Sequence, residues 1–161
     1  MTTPADLVER FRRGSEVLAE AVQGVSEAES GFSPAPGKWT IREIVGHLAD
    51  TEIVAGMRLR QIIAEDKPTL VVFDQDAWAK ELGYAKRDVR DSLATFRTLR
   101  AINALMLQNL PPAAFDREGH HPERGVLTAR DWVVRFSDHV DSHAKQITAI
   151  REAWAVRAAH A

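Results

Sequence analysis

The sequence predicts an all-α protein, a four-helix bundle, on three observations. Four segments of about 20 to 28 residues repeat apolar side chains on one side of a helical cylinder. Two of them open on a Thr followed three positions later by a carboxylate, the reciprocal arrangement that satisfies two orphan backbone N–H groups. The breaks between segments are rich in Pro and Gly, and no alternating-apolar hairpin pattern interrupts the series. With 161 residues, 45% hydrophobic and 27% charged, the chain suits one domain with a substantial core, expected over 1–161, and is too short for two ordinary ones.

At about 100° per residue, Leu7, Phe11, Gly14, Leu18, Val22 and Val25 share one side, which places a first helix over about Pro4 to Gly24. "SGFSPAPGKW" then breaks it, with two prolines and two glycines in ten residues. Thr40 with Glu43 starts a second helix to about Glu65, buried through Ile41, Ile44, Leu48, Ala55, Leu59 and Ile62, and over before Pro68. The stretch from Pro68 to Gly83 reads as a long, partly helical connection. A third helix, about Lys86 to Asn109, carries Val89, Leu93, Phe96, Leu99, Leu105, Met106 and Leu107 on more than one side, and "LPPAAF" ends it. After the irregular "DREGHHPERG", Thr128 with Asp131 caps a last helix whose stripe is Trp132, Phe136, His139, Val140, His143, Ile147, Ile150 and Trp154. Two of the connections are long enough to cross an end of the bundle, so simple up-down-up-down order is not required.

Composition narrows the function. A formal charge of −2, from 21 basic and 23 acidic side chains, offers no broad basic footprint, so no nucleic acid is expected as a partner. The charged N-terminal stretch lacks an apolar run, so no membrane partner or signal peptide is expected and a cytoplasmic location is. With no cysteine, any metal must be held by imidazole and oxygen.

The last stripe contains two ionisable rings where a bundle helix normally places Leu. With Trp132 at zero, His139 and His143 lie at about −20° and +20°, so both project into the core. A lone buried histidine is ordinarily hydrogen-bonded to a carbonyl or carboxylate, but two adjacent rings need two sets of partners, and charging both in a core is costly. Neighbours at this spacing can share one divalent cation. His47 sits about 60° from the centre of the second stripe, at the edge of its buried face. His47, His139 and His143 can thus fill three positions around a metal and leave the rest open for an exchangeable ligand. Asp50, three residues after His47, is within reach to orient or deprotonate a metal-bound water or thiol. His120 and His121 read as exposed loop residues, Trp132 and Trp154 as core, Asp138 and Asp141 as solvated or interhelical, and Trp78 with the carboxylates of "FDQDAW" as possible pocket-mouth residues.

"GKWTIREIVGHLADTE" and "LTARDWVVRFSDHVDSHAKQI" together resemble the DinB superfamily, including its YfiT-like members, and "FDQDAW" and the Gly125 to Thr128 entry also fit. The resemblance covers nearly the whole chain and places the family's metal triad on the same three histidines. It implies an up-down-down-up bundle, a bound divalent ion such as zinc or nickel, frequent assembly as a homodimer, and an S-transferase with a low-molecular-weight thiol as cosubstrate or a thiol-dependent isomerase. The open three-histidine site itself supports group transfer or hydrolysis of a small-molecule substrate. Thiol-transferase members often carry a second His two residues after the Asp of His-Leu-Ala-Asp, where this chain has Glu52. The rival class is a non-catalytic, metal-binding stress-response protein whose helices serve dimerisation.

Overall fold

A computed structural model describes residues 2–160. Its long helices are α1 (Pro4–Ala21), α3 (Ile41–Ala64), α5 (Val89–Gln108) and α6 (Ala129–Ala159), with the short α2 (Glu27–Ser30) and α4 (Gln75–Glu81) in the connections. Reciprocal caps start three of them, at Thr3 with Asp6, Thr40 with Glu43 and Thr128 with Asp131. The first helix stops earlier than its apolar stripe suggests. Gly24 turns the chain at φ 73°, and the Ser26 hydroxyl accepts the Glu29 N–H to open α2. Likewise the third long helix begins at Val89 because the Asp88 carboxylate caps it, and Tyr84–Lys86 forms a 3-10 turn instead.

Cross-helix pairs give the directions. Arg10 pairs with Asp138 and Asp141, and Arg151 donates to the Ala21 carbonyl, so α1 and α6 run parallel. Glu52 faces Arg100 and Arg60 reaches Asn103, so α3 and α5 run parallel too. His47 lies opposite His139 while Arg58 stacks over Trp132, which makes α3 and α6 antiparallel. The order is up-down-down-up, as the resemblance implies. Two successive "down" helices force the α3–α5 connection to travel back along the bundle.

The expectation of no hairpin needs correcting. β1 (Glu118–His121) and β2 (Gly125–Thr128) pair antiparallel with Glu118 opposite Thr128. Four-residue strands, one of them containing adjacent histidines, are too short to show alternation in sequence. Pro68 and Leu70 hydrogen-bond to both sides of His120, which ties the α3–α5 connection to the hairpin. Gly119 lets the hairpin lie on α3, since a Cβ there would come within 2.8 Å of Ile62 and 3.0 Å of Leu70.

The core has two apolar halves. Leu7, Phe11, Leu59, Ile62, Leu107, Phe115 and Val133 fill one, and Leu18, Ile41, Ile44, Leu48, Phe96, Val140, Ile147 and Ile150 fill the other. A polar waist separates them. Arg100, 1% exposed, donates to the Glu52 carboxylate through Nε and Nη2 at 3.0 and 2.6 Å and to the Phe11 carbonyl through Nη1. Asn103 donates to the other Glu52 oxygen. Burial pushes the Glu52 carboxyl up, and the Arg100 guanidinium opposes that shift. The rings of Phe11 and Phe96 lie 3.9 and 4.8 Å from the guanidinium carbon, and Gly14 leaves room for it. Glu52 is thus a core residue. Breaking a buried pair from one side leaves an uncompensated charge, at a cost of about 3 to 5 kcal/mol. Urea unfolding should show a loss of that size for Arg100→Ala or Glu52→Ala, and a clearly smaller one for the double variant Glu52→Leu/Arg100→Met.

Candidate metal centre

Packing α3 against α6 brings the His47 ring edge-on to those of His139 and His143, at 5.1 and 5.2 Å between centroids. The Nε2 atoms of His47 and His139 are 3.2 Å apart, and those of His143 and His139 are 3.0 Å apart. One ring nitrogen from each residue lies within 4.8 Å of the others. Metal–nitrogen bonds of about 2.0 to 2.1 Å set neighbouring ligand nitrogens roughly 2.9 Å apart in an octahedron and 3.3 Å in a tetrahedron. The two observed separations fall in that interval, and the third pair, His47 with His143, lies within the 4.8 Å that bounds the cluster.

The electrostatics agree. Burial is the main cause holding His47 and His139 down to about 3, with further lowering by His143 on both and a counteracting effect of Asp50 on His47. Burial also lowers His143, against the raising effect of its bond to Gln146. The rings are neutral at neutral pH, the form that binds metal. His143 shows how its lone pair is aimed: Nδ1 donates to the Gln146 amide oxygen at 2.9 Å, which leaves Nε2 unprotonated and pointing at the other rings. Trp39 closes one side of the site, its ring centroid 4.9 Å from that of His47.

Asp50 does not occupy the place expected of it. Its two oxygens accept from Nη1 and Nη2 of Arg87, both at 3.0 Å, and it is not part of the cavity beside the histidines. The reason is angular. From His47, Asp50 is turned about 60° one way and Thr51 about 40° the other, and the cavity opens on the Thr51 side. The Thr51 hydroxyl lies 3.4 Å from the His47 ring nitrogens, so Thr51 takes the position expected of Asp50, whose influence on His47 is through its charge.

A cavity of about 650 Å³ runs from His47 and His139 along the α3–α6 groove to the hairpin. Thr51, Arg58, Trp132, Arg135 and Phe136 line its length, with Phe73, Asp74 and Gln75 from the connection and His121, Glu123 and Arg124 from the hairpin. Trp132 is core, as expected, and also cavity wall. Trp78 is not in the wall but packs on Phe73, 4.5 Å between centroids. Trp154 is half-buried against Phe32. Asp138 and Asp141 are interhelical as expected, both held by Arg10. His120 is exposed, but His121 is only 2% exposed, contrary to the loop reading, because the strand turns successive side chains to opposite faces. Arg58 and Arg135 were findable: Arg58 is eleven residues after His47, three turns along the same face, and Arg135 is one turn before His139. The hairpin residues left no such signal.

Comparison with known proteins gives the family. The DinB superfamily profile matches residues 10–147. A candidate metal-dependent hydrolase of Oceanobacillus iheyensis is 27% identical over 140 residues, covering 86% of this chain and 81% of its own. One of Geobacillus kaustophilus is 30% identical over 141 residues, covering 84% and 76%. In structure, Bacillus subtilis YfiT, described as a metal-dependent hydrolase candidate with an unusual four-helix bundle topology, superposes with a TM-score of 0.87 at 23% identity over 92% of this chain and 86% of its own. A mycothiol-dependent maleylpyruvate isomerase superposes at 0.72 and 19% identity over 91% of this chain but spans further, this chain covering 63% of it. With the profile matched over most of its length, the chain belongs to the DinB superfamily.

Proposed function

We propose that His47, His139 and His143 hold one divalent metal ion and that the protein is an enzyme that uses it to activate a small nucleophile against a substrate bound in the adjoining cavity. The observation that carries this reading is the convergence of three neutral imidazole nitrogens from two helices, two of them, on His47 and His139, belonging to residues that line one end of that cavity. Such an ion lowers the pKa of a bound water or thiol and polarises an electrophile. Water as nucleophile makes the enzyme a hydrolase, in line with the names of its relatives. A low-molecular-weight thiol makes it an S-transferase, a reading supported by the resemblance and by the thiol-dependent isomerase that shares the fold.

The chain's own residues define the rest. Gln146 fixes the tautomer of His143, Trp39 shields the outer side of His47, and Thr51 presents a hydroxyl beside the histidines that can accept a hydrogen bond from the nucleophile and orient it. Asp138, the wall carboxylate nearest His139 in sequence, is tied to Arg10. With Asp50 held by Arg87, neither is a free base beside the site.

Protein purified without a histidine tag should bind one zinc or nickel per chain by elemental analysis, and His47→Ala or His139→Ala should abolish that binding. Gln146→Leu should weaken it by about 10- to 100-fold, the usual loss when a ligand's hydrogen-bond partner is removed. Replacing Asp50 by Asn should leave metal content unchanged. The metal-free protein should also lose stability in acid. Its unfolded histidines take up protons near the ordinary value of 6.5, whereas folded His47 and His139 resist until about 3, so unfolding free energy falls as pH drops from 6.5 towards 3. Denaturant titrations of His139→Leu across that range should show a flatter acid limb. Turnover by the zinc- or nickel-loaded protein of a panel of ester and amide substrates, and of monochlorobimane with several low-molecular-weight thiols, separates hydrolase from transferase. Inactivity of fully loaded protein on both panels would contradict the enzymatic reading.

A further inference from the structure

The far end of the cavity contains donors without acceptors. Arg58 is 6% exposed, and its Nε and Nη2 both donate to the Val71 carbonyl, at 2.9 and 2.7 Å, while Nη1 has no partner among the described residues. Among the described residues no carboxylate pairs with it, nor with Arg124 or Arg135. A buried guanidinium without a counter-charge is costly. Burial and the charge of Arg124 push Arg58 down to about 10, with Arg135 adding to the effect against Glu123. The indole N–H of Trp132, whose ring lies 4.7 Å from the Arg58 guanidinium carbon, is buried with no acceptor among the described residues. His121 adds a third case. The Glu123 backbone N–H approaches its Nδ1 at 3.2 Å and Arg58 Nη2 approaches its Nε2 at 3.1 Å. A neutral imidazole has one acceptor nitrogen, so one of those donors goes unsatisfied.

Three carboxylates also line the cavity, and they do not supply the missing charge. Asp138 is paired with Arg10, Asp74 accepts the N–H groups of Asp76 and Ala77 at the start of α4, and Glu123 is exposed in the hairpin turn.

We propose that Arg58, Arg124 and Arg135, with Trp132 and His121, form a subsite for a carboxylate of the substrate, so that the protein acts on elongated anionic small molecules. The scale follows from helix geometry: Trp132 and His139 are seven residues apart on α6, roughly 10 Å along the axis. The reacting group lies near the histidines and the carboxylate about that far away, across a wall of Phe136 and Trp132 suited to an apolar or extended middle. A carboxylate fits better than a phosphoryl group, because the two buried donors left without acceptors among the described residues, Arg58 Nη1 and the Trp132 indole N–H, match two acceptor oxygens rather than three. The inference adopts the proposed metal site for the position of the reacting group, but the arginine subsite can be tested apart from it.

The test uses octanoate, octanedioate and octanamide, titrated by calorimetry into the zinc-loaded protein and into its His139→Ala variant. In H139A, octanoate and octanedioate should bind alike, octanamide at least tenfold more weakly, and affinity should fall with added salt. Introducing Arg124→Gln/Arg135→Gln, two exposed side chains whose loss leaves the core intact, should weaken octanoate binding about tenfold. Arg58→Gln should weaken it further if the variant folds. In zinc-loaded wild type, octanedioate should bind at least tenfold tighter than octanoate because both ends are engaged. Equal binding of octanamide and octanoate to H139A, or unchanged octanoate affinity in R124Q/R135Q, overturns the carboxylate subsite. Loss of the octanedioate advantage with arginine dependence intact overturns the metal reading and leaves the subsite standing.

Discussion

The register of α3 against α6 is the constraint on which the rest of the structure depends. Because the two helices are antiparallel, one alignment sets His47 opposite His139 and His143 and Arg58 over Trp132 at the same time. One end of the groove gathers lone pairs; the other gathers N–H donors. A shift of one helical turn, about 5.4 Å, would separate the imidazoles beyond any shared ligand and take the guanidinium off its ring. The site is therefore a property of the packing as much as of the histidines.

The polar waist holds that alignment. Apolar side chains slide past one another at modest cost, but a buried ion pair with a third hydrogen-bonding partner has one good geometry. Glu52, on α3, meets Arg100 and Asn103 on α5, and Arg100 reaches the Phe11 carbonyl on α1. Three of the four long helices are pinned at one level by this network. The fourth, α6, is pinned from outside by Arg10 through Asp138 and Asp141. Glu52 is only two residues from Asp50, yet the pair's burial separates it from the chemistry: it serves the position of His47 and does not touch the cavity.

Much of this was legible in the sequence, for a physical reason. Long amphipathic helices write their buried face every three or four residues, so the four helices, the caps at Thr40 and Thr128 and the inward direction of His139 and His143 could be read from spacing alone. Asp50 could not, because an angle of about 60° either side of a ligand does not say which neighbour the groove will face; Arg87, thirty-seven residues away, decides it. His121 was hidden for another reason. A four-residue strand carries too few side chains to reveal alternation, and its burial depends on Gly119 allowing the hairpin to lie on α3. The carboxylate subsite combines α3, α6 and that hairpin, so Arg124 joins Arg58 and Arg135 only in three dimensions.

The central claim is that three imidazole nitrogens share one ion, and anomalous diffraction from crystals grown with zinc or nickel tests it most directly. The account requires a single anomalous peak bonded to Nε2 of His47, His139 and His143, with the remaining coordination positions facing Thr51 and the cavity. A site with no peak at saturating metal, or with the ion bound elsewhere while the three rings hydrogen-bond only to one another, would contradict it.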